Sequence, residues 1–144
     1  MAHPYRLDVS ADAIALALGA DPGGDVWVGG SVVPGGYAPV IVREGGRLRL
    51  VPRQWGVPPP PRGERVVWCT VPGRPVMALA GIWRDSEVPS FAIVTVDAEG
   101  ILAGARDAAM PVVLDPPDYR NWLSTDWKDA QNLIRANLDV MPVG

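Results

Sequence analysis

Sixteen glycines and sixteen prolines punctuate the 144 residues, and they cut the chain into short pieces that read mainly as strands. A chain of this length fits one domain and can bury roughly 68–70% of the surface its unfolded form exposes, so one core spanning residues 1–144 is expected. Apolar residues at 48% and charged residues at 20% exclude a chain disordered by composition and a charge-rich coiled coil.

Ser10 can cap a helix running through Leu18, with Ile14 and Leu18 on one face and Gly19 at the C-terminal stop. The glycines between Asp21 and Gly36 imply loop and turn around a brief strand at Val26–Val28. Pro39–Arg43 and Arg47–Pro52 flank Glu44–Gly45–Gly46, the pattern of a β-hairpin turning on glycine. Pro58 to Pro61 cannot join a ladder and form polyproline II, either a stiff connector or a ligand for a proline-binding module.

Val66–Val71, Val76–Trp83 and Ser90–Val96 read as antiparallel strands, with Leu79–Ile82 central and buried, and Met110–Leu114 as a last short strand. Pro116–Pro117 opens a helix carrying Tyr119, Trp122 and Leu123; Ser124 or Thr125 can cap a second with Ala130, Leu133 and Ile134 on one face. The expected class is α+β: a strand-rich curled sheet or partly open β-barrel with a few peripheral helices.

Thirteen basic against sixteen acidic residues give a net charge of −3, which argues against holding duplex DNA through overall positive charge and leaves only a local patch. Arg47, Arg49 and Arg53 fall on one face of a strand, either as its solvated side or as a phosphate-facing stripe. Six tryptophans are core residues or stacking surfaces; Trp55, between Arg53 and a proline turn, suits a base stack beside a phosphate contact. Cys69 lies in an apolar run and reads as a buried, unreactive thiol.

One cysteine and one histidine, His3, are too few for a zinc cluster or an internal disulfide, and isolated Asp85, Asp97, Asp107 and Asp115 lack ligand spacing. No metal and no cofactor are expected. The absence of a long apolar run and of a basic-flanked leader points to a cytoplasmic protein with no membrane partner.

Several segments, in order, carry a family resemblance. They are Val33–Pro34–Gly35 with Ala38–Pro39–Val40; Pro52–Arg53–Gln54–Trp55–Gly56–Val57–Pro58; Ala78–Leu79–Ala80–Gly81–Ile82–Trp83 with Phe91–Ala92–Ile93–Val94–Thr95; and Ala109–Met110–Pro111–Val112–Val113–Leu114 with Asp118–Tyr119–Arg120–Asn121–Trp122–Leu123. Together they resemble the SOS response-associated peptidase family, and the resemblance implies an abasic-site sensor that shields single-stranded DNA by cross-linking to it through an N-terminal cysteine.

Here Ala2 stands at that position, and the family's insert bearing an asparagine and a glutamate is missing between Pro61 and Val71. The histidine before Met-Pro is replaced by Arg106 or Asp107. The resemblance therefore implies a shortened, catalytically impaired monomer keeping part of a DNA-facing surface: Arg53, Trp55, Pro58, Arg106, Met110 and Pro111. Two rivals stay open. One is a non-enzymatic protein-interaction module; the other is a residual lyase using only the α-amine of Ala2, which can form a Schiff base but has no general acid or base beside it.

Overall fold

The computed structural model describes residues 4–56, 67–103 and 109–143. Pro58 to Pro61, Ala2 and Arg106 lie outside them. The fold is strand-rich α+β, as the sequence implies, and the chain groups into two compact units: Met1–Glu64 with Trp83–Ala92, and Arg65–Ile82 with Ile93–Gly144.

In the first unit, β1 (Tyr5–Leu7) pairs antiparallel with β2 (Gly30–Val32). Between them α1 (Ala11–Leu18) starts where the Ser10 hydroxyl accepts from the Ala13 N–H at 3.3 Å and stops at Gly19, whose φ of 66° only glycine adopts freely. The helix buries Ala11, Ile14 and Ala15 against Leu50, with Leu7, Trp27 and Ile41 packed around them. Val26–Val28 is not a strand. Val26 and Val28 are 89% and 85% exposed, and the segment instead hands the Trp27 carbonyl to the Ala11 N–H, covering the start of α1.

The hairpin of β3 (Tyr37–Glu44) and β4 (Arg47–Trp55) is longer than the sequence pattern implied, with Glu44 opposite Arg47 and Tyr37 opposite Gln54. Gly45 and Gly46 both take positive φ, which suits a two-residue turn matched to the twist of the strands. β4 also pairs parallel with β8 (Ser90–Ile93) through Gln54–Ser90 and Trp55–Phe91, and β7 (Gly81–Arg84) forms the outer edge beyond β8. On β4, Leu50 is fully buried toward α1, while Val51 and Trp55 are buried on the opposite face.

The second unit is built from two-stranded pairings: β5 (Cys69–Thr70) with β12 (Met141–Pro142), β6 (Ala78–Leu79) with β11 (Val113–Leu114), and β9 (Thr95–Asp97) with β10 (Ala109–Pro111). The first of three runs expected as continuous strands begins only at Ala78, not Val76, and the three are interrupted at Ala80, Val94 and Val112. These residues bond to one another in a ring: Ala80 N–H to Val112 O at 2.8 Å, Val112 N–H to Val94 O at 2.9 Å, and Val94 N–H to Ala80 O at 2.9 Å. Each strand changes partner at the ring, so no backbone group there is left unpaired. Ala80 and Val112 are buried at 0% and 1%.

Leu79–Ile82 is therefore not uniformly buried. Ala80 is central, but Ile82 is 49% exposed because β7 continues as a sheet edge. Asp115 precedes a 3-10 turn at Pro116–Asp118 and α2 (Tyr119–Ser124), and α3 spans Trp127–Ala130. The cap of α3 is Asp126, whose carboxylate accepts from the Asp129 N–H at 3.0 Å, rather than Ser124 or Thr125. Ser124 is still inside α2, its hydroxyl bonded to the Arg120 carbonyl at 2.6 Å. Among the described residues no helix is long and apolar enough to cross a membrane.

Candidate nucleic-acid interface

The arginines of β4 separate along the strand. Arg47 and Arg49 are exposed near the hairpin turn, and Arg49 reaches Glu44 at 3.4 Å. Arg53, on the same face, lies where the sheet is covered, and only 11% of its side chain is exposed. Its guanidinium is fixed by Asp85 at 2.9 Å and by the Pro52 carbonyl at 3.2 Å, and lies over the Trp83 ring 5.3 Å from the centroid. The stripe is thus neither wholly solvated nor wholly phosphate-facing. Among the described residues the Arg53 Nε–H has no partner.

Trp55 is 2% exposed. Its ring sits between Tyr5, at 5.4 Å between centroids, and Phe91, stacked at 6.2 Å with 15° between the planes. Burial pushes the Tyr5 phenol above its ordinary range. These three rings pack together inside the first unit, and Trp55 is covered by protein, so this residue presents no surface to a base. Met110 is likewise inside the second unit, 4% exposed among Val71, Val113 and Val140, and half-buried Pro111 pairs with Thr95. Arg53 and Trp55 fall in one unit, Met110 and Pro111 in the other.

Among the described residues, two exposed aromatics of the first unit are Tyr37, 61% exposed at the start of β3, and Trp83, 43% exposed on edge strand β7. Trp83 was concealed in the sequence because it ends an apolar run; the signal that could have found it is the charged pair Arg84–Asp85 immediately after, where the run leaves the interior. Exposed Arg84 lines an open depression of about 490 Å³ with Gln54, Gly56, Ser86, Glu87, Val88 and Ser90. The Gln54 amide is held by the Gly35 carbonyl at 2.9 Å, and the Ser86 hydroxyl donates to the Val88 carbonyl at 3.0 Å. An aromatic ring with a fixed cation on one face can stack a planar group, and the exposed arginine on the other face of the same edge strand can attract an anion.

In the second unit, Cys69 is half-buried rather than buried, and desolvation raises its thiol pKa. It packs at the margin of the Val71–Met110–Val113–Val140 cluster. Arg74 donates to Asp115 at 2.7 Å, Asn137 donates to the same oxygen at 3.1 Å, and these bonds hold the Asp115 carboxyl below the usual carboxylate range. Among the described residues no group of three or more His, Cys, Asp or Glu side chains is placed to hold a metal ion.

A family model described as SOS response associated peptidase (SRAP) matches residues 61–143. The match covers β5 to β12 and both later helices. No curated protein and no solved structure matches the chain significantly.

Proposed function

The chain belongs to the SOS response associated peptidase (SRAP) family, and from that premise we propose that it binds single-stranded DNA without cross-linking to it. Membership ties the chain to the DNA-damage response and to abasic sites. The finer reading is supported by where its sulfur lies. The sole cysteine is Cys69, in β5 and packed against the core, with a thiol that burial makes harder to ionise. A thiolate is the nucleophile in any such attack, so this sulfur is poorly suited to one. Ala2 supplies no thiol, and Arg106 or Asp107 replaces the histidine that the resemblance implies.

In this reading the chain acts as one monomeric, cytoplasmic SRAP-like domain with neither metal nor cofactor. Of the residues that the sequence offers for the DNA face, Arg53 contributes in the first unit from beneath Trp83; Pro58, Arg106 and Pro111 are proposed as contacts from the sequence alone, and Trp55 and Met110 support the scaffold. Once Met1 is removed, the α-amine of Ala2 is a slow, Schiff-base-forming group.

The test uses one labelled strand with and without an abasic site. On native gels both should shift, and the shift should weaken with salt because phosphate neutralisation releases counterions. On denaturing gels no heat-stable adduct should appear, and borohydride should trap at most a trace. A heat-stable adduct would overturn the non-cross-linking half; no shift at low salt would overturn the binding half.

A second reading has its own observation. Val67, Trp68, Met141 and Val143 are 43–58% exposed at and beside the β5–β12 pair, and Val143 N–H bonds to the Trp68 carbonyl at 2.7 Å. Grouped exposed apolar side chains suit a protein partner. Absence of DNA binding together with self-association or partner capture that Trp68→Ser abolishes would favour it.

A further inference from the structure

We propose that Trp83 is the platform on which one unpaired base of the bound strand stacks, with Arg53 holding the ring from behind and Arg84, on the other face of the same edge strand, meeting a phosphate. This rests on the single-strand reading above and assigns its site. Trp83 is 43% exposed although it belongs to a strand, because β7 is the edge of its sheet and nothing among the described residues pairs beyond it.

A large exposed aromatic is ordinarily free to change rotamer, and ordering it on binding costs affinity. Here the ring is already set. The Arg53 guanidinium lies over it at 5.3 Å and is itself clamped by Asp85 and the Pro52 carbonyl. Arg53 is only 11% exposed, so its charge acts chiefly on the indole and on Asp85 rather than on solvent.

The fixed cation also selects the ligand. The indole's face is electron-rich, and one side already carries a positive charge, so a second cation on the remaining side is repelled. A neutral planar ring attached to an anionic backbone meets no such penalty, and every nucleobase has a π-face to offer. A base inside a duplex keeps its faces covered, which restricts the platform to unpaired strands. Arg84 follows Trp83 in β7 and so points to the other face of this edge strand. There it stands at the rim of the depression with Gln54, Ser86 and Ser90 and has no carboxylate partner among the described residues. A single strand passing round the exposed edge would lay its base on one face and a phosphate on the other. Glu87 lines the same depression, so the phosphate contact is assigned to Arg84 alone.

The experiment measures binding of a fluorescein-labelled oligothymidylate to the full chain by anisotropy across a salt series. Trp83→Ala should weaken binding about 5- to 150-fold, the worth of one base–aromatic stack. Trp83→Phe should lose less, and Arg84→Ala should reduce the slope of log affinity against log salt by about 0.7, one phosphate on a single strand. The wild-type tryptophan emission should be quenched on binding, and less so in Trp83→Phe.

Wild-type binding with unchanged affinity in Trp83→Ala would overturn the platform while leaving the single-strand reading intact. If Trp83→Ala does not fold, Trp83→Phe decides: unchanged affinity and undiminished quenching overturn the platform. A wild-type chain that does not bind the oligonucleotide overturns the parent reading and the platform with it.

Discussion

Burial sorts the six tryptophans in a way their neighbours in sequence do not announce. Trp55 follows Arg53 by two positions and therefore shares its face of β4, yet Trp55 is buried there and Arg53 largely covered, because Tyr5 and Phe91 pack on the first and Trp83 on the second. The basic and glycine-rich flank that made Trp55 look like a surface residue reports the turn, not the side chain's direction. Trp27 and Trp122 are half-buried and each donates its indole N–H to a carbonyl at 3.2 Å, Leu7 and Gly81 respectively. Trp68, Trp83 and Trp127 face solvent. At the same scale, Asp115 sets a pH response. Its folded carboxyl sits below its unfolded value near 3.9 because it accepts from Arg74 and Asn137. The stability it contributes is complete above that unfolded value and is lost as pH falls through the lower folded one. Asp115→Asn should therefore lower the urea midpoint at pH 7, and the gap from wild type should narrow below about pH 4. A gap that is constant with pH would show that the charge plays no part.

Among the elements, α1 and the β3–β4 hairpin were legible because their signals are local: a serine cap, a glycine stop and two turn glycines bounding alternating side chains. The strand breaks at Ala80, Val94 and Val112 were not legible. Each lies in an apolar run, and the change of partner depends on where two other strands run. Asp126 capped α3 instead of Ser124 or Thr125 because α2 carried on through Ser124, a boundary set by packing rather than by propensity. Gly23 shows a further long-range demand. Its loop lies along β4, where Leu50 N–H bonds to the Asp21 carbonyl at 2.7 Å and Asp21 N–H to the Leu48 carbonyl at 2.9 Å. With φ at 62°, a Cβ on Gly23 would collide with the Leu50 carbonyl oxygen, whereas at Gly24 it would meet open space. Gly23→Ala should cost about 2–3 kcal/mol, the left-handed penalty plus a lost hydrogen bond, and Gly24→Ala about 1–2. Equal losses in chemical denaturation would refute the close-approach argument.

For the whole molecule, the sequence conveyed class and family but not the division of the chain. The matched stretch 61–143 covers most of the second unit, while the first is completed by residues that arrive late: Phe91 against Trp55, and Asp85 on Arg53. Fragments 1–64 and 65–144, prepared separately, should bind each other when mixed, with a blue shift in tryptophan emission as Trp55 is covered. No association at micromolar concentrations would contradict that dependence. The ring at Ala80, Val94 and Val112 adds a constraint in time. None of its three bonds joins residues that are neighbours along the chain, and the ring closes only when all three strands are present. A ribosome that has released the polypeptide as far as Val94 has made two corners of the triangle available but only one bond, so this part of the core is sealed after synthesis has passed Val112. The unfinished chain meanwhile carries exposed strand edges, the species on which chaperones act.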